Sequence, residues 1–155
     1  MATGSFADAP SAPLQRQPAG VGQRVAGYLI DVIPAAFLGL SGLIPIVGPM
    51  IAGLLLTPYW LFRDVTGRSL GKLAVGTEVV RREGDLAPTW ARILRNLPIA
   101  LGTMLLIIPL LGYVLAPPVL ILVIVAEGIM VLTTGERIGD RIAGTRVVRR
   151  VEKKD

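Results

Sequence analysis

Two carboxylates carry most of the chemistry open to this chain. Asp31 is the only charge between Val25 and Phe62, a stretch of 38 residues, and Glu127 is the only charge in the 36 residues from Leu97 to Leu132. A lone charge in so apolar a stretch costs about 2.5–3.5 kcal/mol on insertion scales, so it either pairs with a cation or exchanges a proton or cation. Arg24 precedes Asp31 by seven residues. On a helix that spacing is two turns, which puts both on one face with Asp31 about 10 Å farther along the axis. Arg24 is thus one candidate partner, and Lys72 and the cations around Asp140 are others. Arg24, Asp31, Lys72, Asp140 and Glu127 together form the candidate ion-pair, proton or cation site. For Asp31, an ion pair that fixes helix register and a transport site both stand. Glu127 lies five residues before the end of its block, where snorkelling to an interface is the simpler account, and Asp140 suits a cap or an ion pair.

Other chemistries lack their parts. The 155 residues contain no His and no Cys, which removes imidazole bases, thiolate nucleophiles, disulfides and the usual zinc and iron–sulfur ligands. No catalytic set stands out, so neither enzyme activity nor a cofactor or metal is expected. Composition points to lipid as the solvent: 52% of residues are hydrophobic and 17% charged, with a mean hydropathy of +0.63, against about 25% charged in an ordinary soluble domain.

Both apolar blocks are too long for one membrane helix, which needs about 17–25 residues, and both are interrupted by helix breakers. These are Gly42, Pro45, Gly48 and Pro49 in the first block, and Pro109, Gly112, Pro117 and Pro118 in the second. The expected fold class is therefore an all-α membrane protein with a duplicated transmembrane helical hairpin, four apolar helices in all. Turns are expected near Pro45 and Pro117, and either hairpin has room for one arm to be re-entrant. Residues 1–22, rich in Pro, Ala, Gly and Ser, read as a flexible cytoplasmic tail without signal-peptide character. Residues 23–150 read as the membrane domain, with repeats at 23–82 and 91–150, and residues 151–155 as a charged C-terminal tail.

All sixteen Lys and Arg avoid the two expected turns: two precede the first block, seven lie between the blocks and seven follow the second. By the positive-inside rule this places both termini in the cytoplasm and the chain in the inner membrane as a multi-pass protein. Topology accounts for the net charge of +5 without a nucleic-acid partner, since no stacking platform accompanies the basic residues. Arg68, Arg81, Arg82, Arg92, Arg95, Arg149 and Arg150 are expected to contact anionic lipid headgroups.

Gly67–Arg82 and Gly135–Arg150 match at eight of sixteen positions with an offset of 68. Each follows an apolar block, as expected of two units in parallel orientation. Leu70–Val75 and Ile138–Ala143 suit short amphipathic helices, and the Val-Val-Arg-Arg that follows each suits a brief strand, so that the two equivalent strands are able to pair. Arg24, Asp31, the Gly67–Val80 stretch, Arg92-Ile-Leu-Arg-Asn96 and Gly139–Val148 together resemble the RDD family of small bacterial and archaeal membrane proteins, over roughly Gly22 to Val148. The resemblance would place that family's arginine and two aspartates on Arg24, Asp31 and Asp140. It implies little about activity, although cation/proton antiport has been proposed for some members. The expected role is a non-enzymatic accessory or scaffold subunit that packs with other membrane proteins or with itself. The alternative is a small cation/proton antiporter using the intramembrane carboxylates, with small cations as partners.

Overall fold

The structure, a computed structural model, describes residues 17–150. The first block forms helix α1, Val21–Gly39, prolonged by a 3₁₀ turn at Leu40–Leu43, and then helix α2, Gly48–Phe62. A short helix α3, Leu70–Ala74, and a strand β1, Thr77–Arg81, follow. Next come α4, Thr89–Leu94, α5, Leu97–Met104, a 3₁₀ turn at Leu105–Ile107, and the long helix α6, Leu111–Thr134. Helix α7, Ile138–Ala143, and strand β2, Thr145–Arg149, end the described chain.

The protein is mostly helical, and two of its helical stretches, Val21–Leu43 and Leu111–Thr134, are long and apolar enough to cross a membrane. The other arm of each block is shorter: Gly48–Phe62 and Leu97–Ile107. At 1.5 Å per residue these reach only about 22 and 17 Å, against about 30 Å of hydrocarbon. Each block is therefore one long arm and one short arm, not two of equal length.

The arms are joined by matching turns, Ile44-Pro45-Ile46-Val47-Gly48 and Ile108-Pro109-Leu110-Leu111-Gly112. In each, the residue after proline takes positive φ, +68° at Ile46 and +59° at Leu110. The next amide donates back to the proline carbonyl, at 2.8 Å for Val47 and 2.6 Å for Leu111. Such tight three-residue turns are rare for side-chain-bearing residues. The following glycine lets the chain double back: a Cβ on Gly48 would stand 2.6 Å from the Ser41 carbonyl oxygen, and one on Gly112 2.5 Å from that of Leu105. The second turn is thus at Pro109, not near Pro117. Pro117 and Pro118 lie inside α6, a place where apolar helices tolerate proline because neighbours re-satisfy the freed carbonyls.

The two short arms pack against each other, with α1 against α2 and α6 against α5. Small residues allow the close approach: Gly53 lies under Ile107 and Leu106, and the Thr57 and Thr103 hydroxyls share a 3.1 Å hydrogen bond between α2 and α5. Ala35, Trp60, Ile99 and Ala100 form the core beside them. The outer faces of the long arms are apolar and exposed, as at Leu29, Ile33 and Phe37 on α1 and Val114, Ile121 and Leu122 on α6.

Helices α3 and α7 dock by glycine at equivalent positions. A Cβ on Gly71 would collide with the Gly27 carbonyl, and one on Gly139 with the Arg95 carbonyl. Gly27 and Arg95 are themselves 68 residues apart. Strands β1 and β2 pair antiparallel in a register that sets Val79 opposite Val147, again residues at the 68-residue offset, so the ribbon has local two-fold symmetry. Gln17–Ala19 lies along the free edge of β2, where Arg149 N donates to Gln17 O at 2.9 Å and Ala19 N to Val147 O at 3.1 Å. The expected tail of 1–22 therefore has the wrong boundary: residues 17–22 belong to the fold, because the open strand edge offers backbone partners. Residues 1–16 and 151–155, the rest of the expected tails, lie outside the described residues.

Candidate functional site

Because α2 and α5 are short, the polar residues just beyond them sink alongside the flanking helices. Arg63 and Asp64 follow α2, and Arg95 and Asn96 precede α5. Arg63 reaches Asp31, ten residues inside α1, so this polar layer lies well below the outer ends of the long arms. Helices α3 and α7 and the strand ribbon cover it.

Three aspartates organise the layer. Asp31 accepts from Ser69 Oγ and from Gly71 N, both at 2.7 Å, and from Arg63 Nη1 at 3.5 Å. It thereby caps the first turn of α3, where free backbone N–H groups need an acceptor. Asp64 accepts from Lys72 Nζ at 2.6 Å and Asn96 Nδ2 at 3.2 Å, with Arg95 Nη1 at 4.0 Å. Asp140 stands 2.7 Å from Arg95 Nη2 and accepts from Arg137 N and Thr145 Oγ1, each at 3.3 Å. It does for α7 what Asp31 does for α3, but from within the short helix itself. Glu127 faces Arg137 Nη1 at 3.6 Å. The Arg63 guanidinium also lies over Trp60, 4.6 Å from the ring centroid, a cation–π contact that favours the charged form.

Five cations, Arg24, Arg63, Lys72, Arg95 and Arg137, thus meet four carboxylates, Asp31, Asp64, Glu127 and Asp140. Burial and the surrounding cations together decide the direction in which the central groups are pushed. Burial alone would raise the Asp64 carboxyl, but Lys72, Arg95 and Arg63 override it and hold it well below the usual carboxylate range. Burial, aided by the repulsion of Arg95, Arg63 and Arg137, lowers the Lys72 ammonium to about 7 in spite of Asp64. Burial opposes ionisation of Asp140 as well, and Arg95 and Arg137 overcome it, so that its value falls.

The residues expected from sequence converge here, with changed partners. Arg24 does not pair with Asp31. It donates to the Ala19 and Val147 carbonyls, at 3.2 and 3.1 Å, tying α1 to β2. Lys72 serves Asp64, not Asp31. Glu127 is buried beside Arg137, so it does not snorkel to an interface. Of the residues expected at lipid headgroups, Arg81, Arg82, Arg149 and Arg150 are exposed, and Arg68 and Arg92 are half-buried. Arg92 donates to the Val65 carbonyl at 3.1 Å. Arg95 is completely buried and does not belong to the exposed basic face, because the short α5 draws it inward. Trp60 is likewise core, stacked on Tyr28 at 5.8 Å between centroids, whereas Trp90 is exposed.

Sequence reasoning did not single out Arg63 and Asp64, and it met Asn96 only within the Arg92–Asn96 stretch and Arg137 only among the cations around Asp140. The available signal was position: Arg63-Asp64 and Arg95-Asn96 border the two shortest apolar arms directly.

Arg24, Asp31, Lys72 and Glu127 line one cavity of about 260 Å³ between α1 and α6, helices that barely touch each other. No protein-family model, curated protein or solved structure matches the chain.

Proposed function

We propose that this chain is a polytopic inner-membrane protein of RDD type, two hairpins inserted from the cytoplasmic side, that acts without catalysis as an accessory or scaffold subunit. Both termini are then cytoplasmic, and the exposed arginines of the strand ribbon meet anionic headgroups. The observation that carries this reading is the division of the molecule. The outer faces of α1 and α6 are apolar and exposed over their length, while the buried charged groups gather at a single end. A rigid body with a long apolar flank suits packing against other membrane helices or a second copy of itself.

Cation/proton exchange draws on one observation, that Asp31 and Glu127 line the same cavity. Against it stands how they are held. Asp31 accepts from a hydroxyl, a backbone N–H and a guanidinium, and Glu127 faces Arg137. A carrier carboxylate needs to exchange partners, whereas releasing Asp31 would uncap α3.

The scaffold reading is tested by extraction from native membranes in mild detergent after brief cross-linking. The expected result is a stoichiometric partner or a homo-oligomer that survives purification. A lone monomer with no cross-linked companion would contradict it.

A further inference from the structure

The cavity between α1 and α6 has a cationic floor and apolar lips. All five cations of the buried layer line it, but only Asp31 and Glu127 among its four carboxylates do so. Asp64 and Asp140 stand behind the floor, turned to Lys72 and Arg95. Three donor atoms have no acceptor among the described residues: Arg24 Nη1, Arg63 Nε and Arg95 Nε, the other two nitrogens of Arg95 being turned to Asp64 and Asp140. The Arg63 and Arg95 side chains are 3% and 0% exposed, and buried arginine donors left unmet are costly, so the site is built to receive an acceptor. The excess of cations over carboxylates in the lining points the same way, toward an anion.

The lips identify the source of that anion. Val25 and Leu29 on α1 and Ile124 and Leu132 on α6 border the cavity and are exposed on the outer, apolar flank. A phosphodiester has one negative charge and acceptor oxygens that match guanidinium forks. With an acyl chain attached, it would leave that chain between the two long helices. We propose that this cleft binds one anionic phospholipid, its phosphate held by Arg24, Arg63, Arg95 and Arg137 and an acyl chain lying between α1 and α6. The proposal rests on the membrane reading above but not on the scaffold role. It places a lipid inside the fold, apart from the exposed arginines of the ribbon.

The test is calorimetric titration of the full chain in a maltoside detergent with dioctanoyl phosphatidylglycerol, dioctanoyl phosphatidylcholine and inorganic phosphate. The expected result is saturable binding of one phosphatidylglycerol per chain, with the zwitterionic lipid and phosphate each at least about tenfold weaker. Gly128 lines the cleft, and a Cβ there meets nothing within 4 Å, so Gly128→Leu should fold normally and abolish lipid binding. Glu127→Gln removes a negative charge from the lining and should tighten binding several-fold, a gain that misfolding cannot imitate. Equal affinity for the two lipids, or indifference to both variants, would overturn the proposal. Phosphate binding as tight as that of the lipid, and unaffected by Gly128→Leu, would replace it with a free-anion site. Retention of the chain in membranes after an alkaline wash tests the membrane reading separately, so failure of one is not mistaken for failure of the other.

Discussion

Asp64→Asn is expected to lower stability by about 3–5 kcal/mol, the cost of removing one partner from a buried ion pair. The carboxylate has Lys72 at 2.6 Å, Asn96 at 3.2 Å and Arg95 at 4.0 Å, and it is completely buried. Its loss leaves the surrounding cations of the layer further in excess at a position that is itself completely buried. Lys72, already lowered to about 7, would then shed its proton at neutral pH to relieve the repulsion. For a domain of this size the melting temperature in detergent should fall by on the order of 10 °C. Adding Lys72→Met should recover much of the loss, because the two residues share one interaction and cannot be additive. Asp85→Asn, at an exposed position, supplies the comparison and should leave the melt within about 0.5 kcal/mol of wild type. An Asp64→Asn protein that melts like Asp85→Asn would show that the layer does not stabilise the fold.

Gly71→Ala and Gly139→Ala should be nearly as damaging as each other. Each methyl would strike a backbone carbonyl, of Gly27 and of Arg95 respectively, and a backbone cannot turn aside as a flexible side chain does. Overpacking of this kind costs about 1–3 kcal/mol, and more where the displaced element also loses its hydrogen bonds. That second loss applies here: moving α3 breaks the bond from Gly71 N to Asp31, and moving α7 strains the contact of Asp140 with Arg95. Gly22→Ala is the control, since a Cβ there meets nothing within 4 Å, and in a helix it should be neutral or stabilising by up to about 1 kcal/mol. The three melting curves of detergent-purified protein decide the matter. Wild-type stability in either docking variant would mean that α3 or α7 does not pack as described.

How far these features can be read from sequence differs from one to the next. The paired strands and the docked short helices are visible in the 68-residue offset, because Gly71/Gly139, Thr77/Thr145 and Val79/Val147 keep their identities. The matching turns are also written in the chain, as Ile44-Pro45 and Ile108-Pro109 each followed three residues later by glycine. Their offset is 64, however, and the more conspicuous Pro117-Pro118 draws attention to the wrong place. The partners of Asp31 are hidden for a geometric reason. Spacing along one helix brings Arg24 to mind, but the shortness of α2 brings Arg63 to the level of Asp31, and arm lengths depend on where each turn closes. Arg95 misleads in the same way. Counted among loop cations it reads as a headgroup contact, and only the recessed start of α5 turns it into a buried charge.

Two hairpins inserted from one side require both turns to face away from the side that holds the charges. Because the chain has no cysteine, single cysteines at Ile46 and Leu110, exposed residues of the two turns, and at Glu83, exposed in the loop between the blocks, can be probed with a membrane-impermeant maleimide in intact cells. Labelling of Ile46→Cys and Leu110→Cys from outside, with Glu83→Cys reacting only after the membrane is opened, is the predicted result. Labelling of either turn residue from the same side as Glu83→Cys would contradict it.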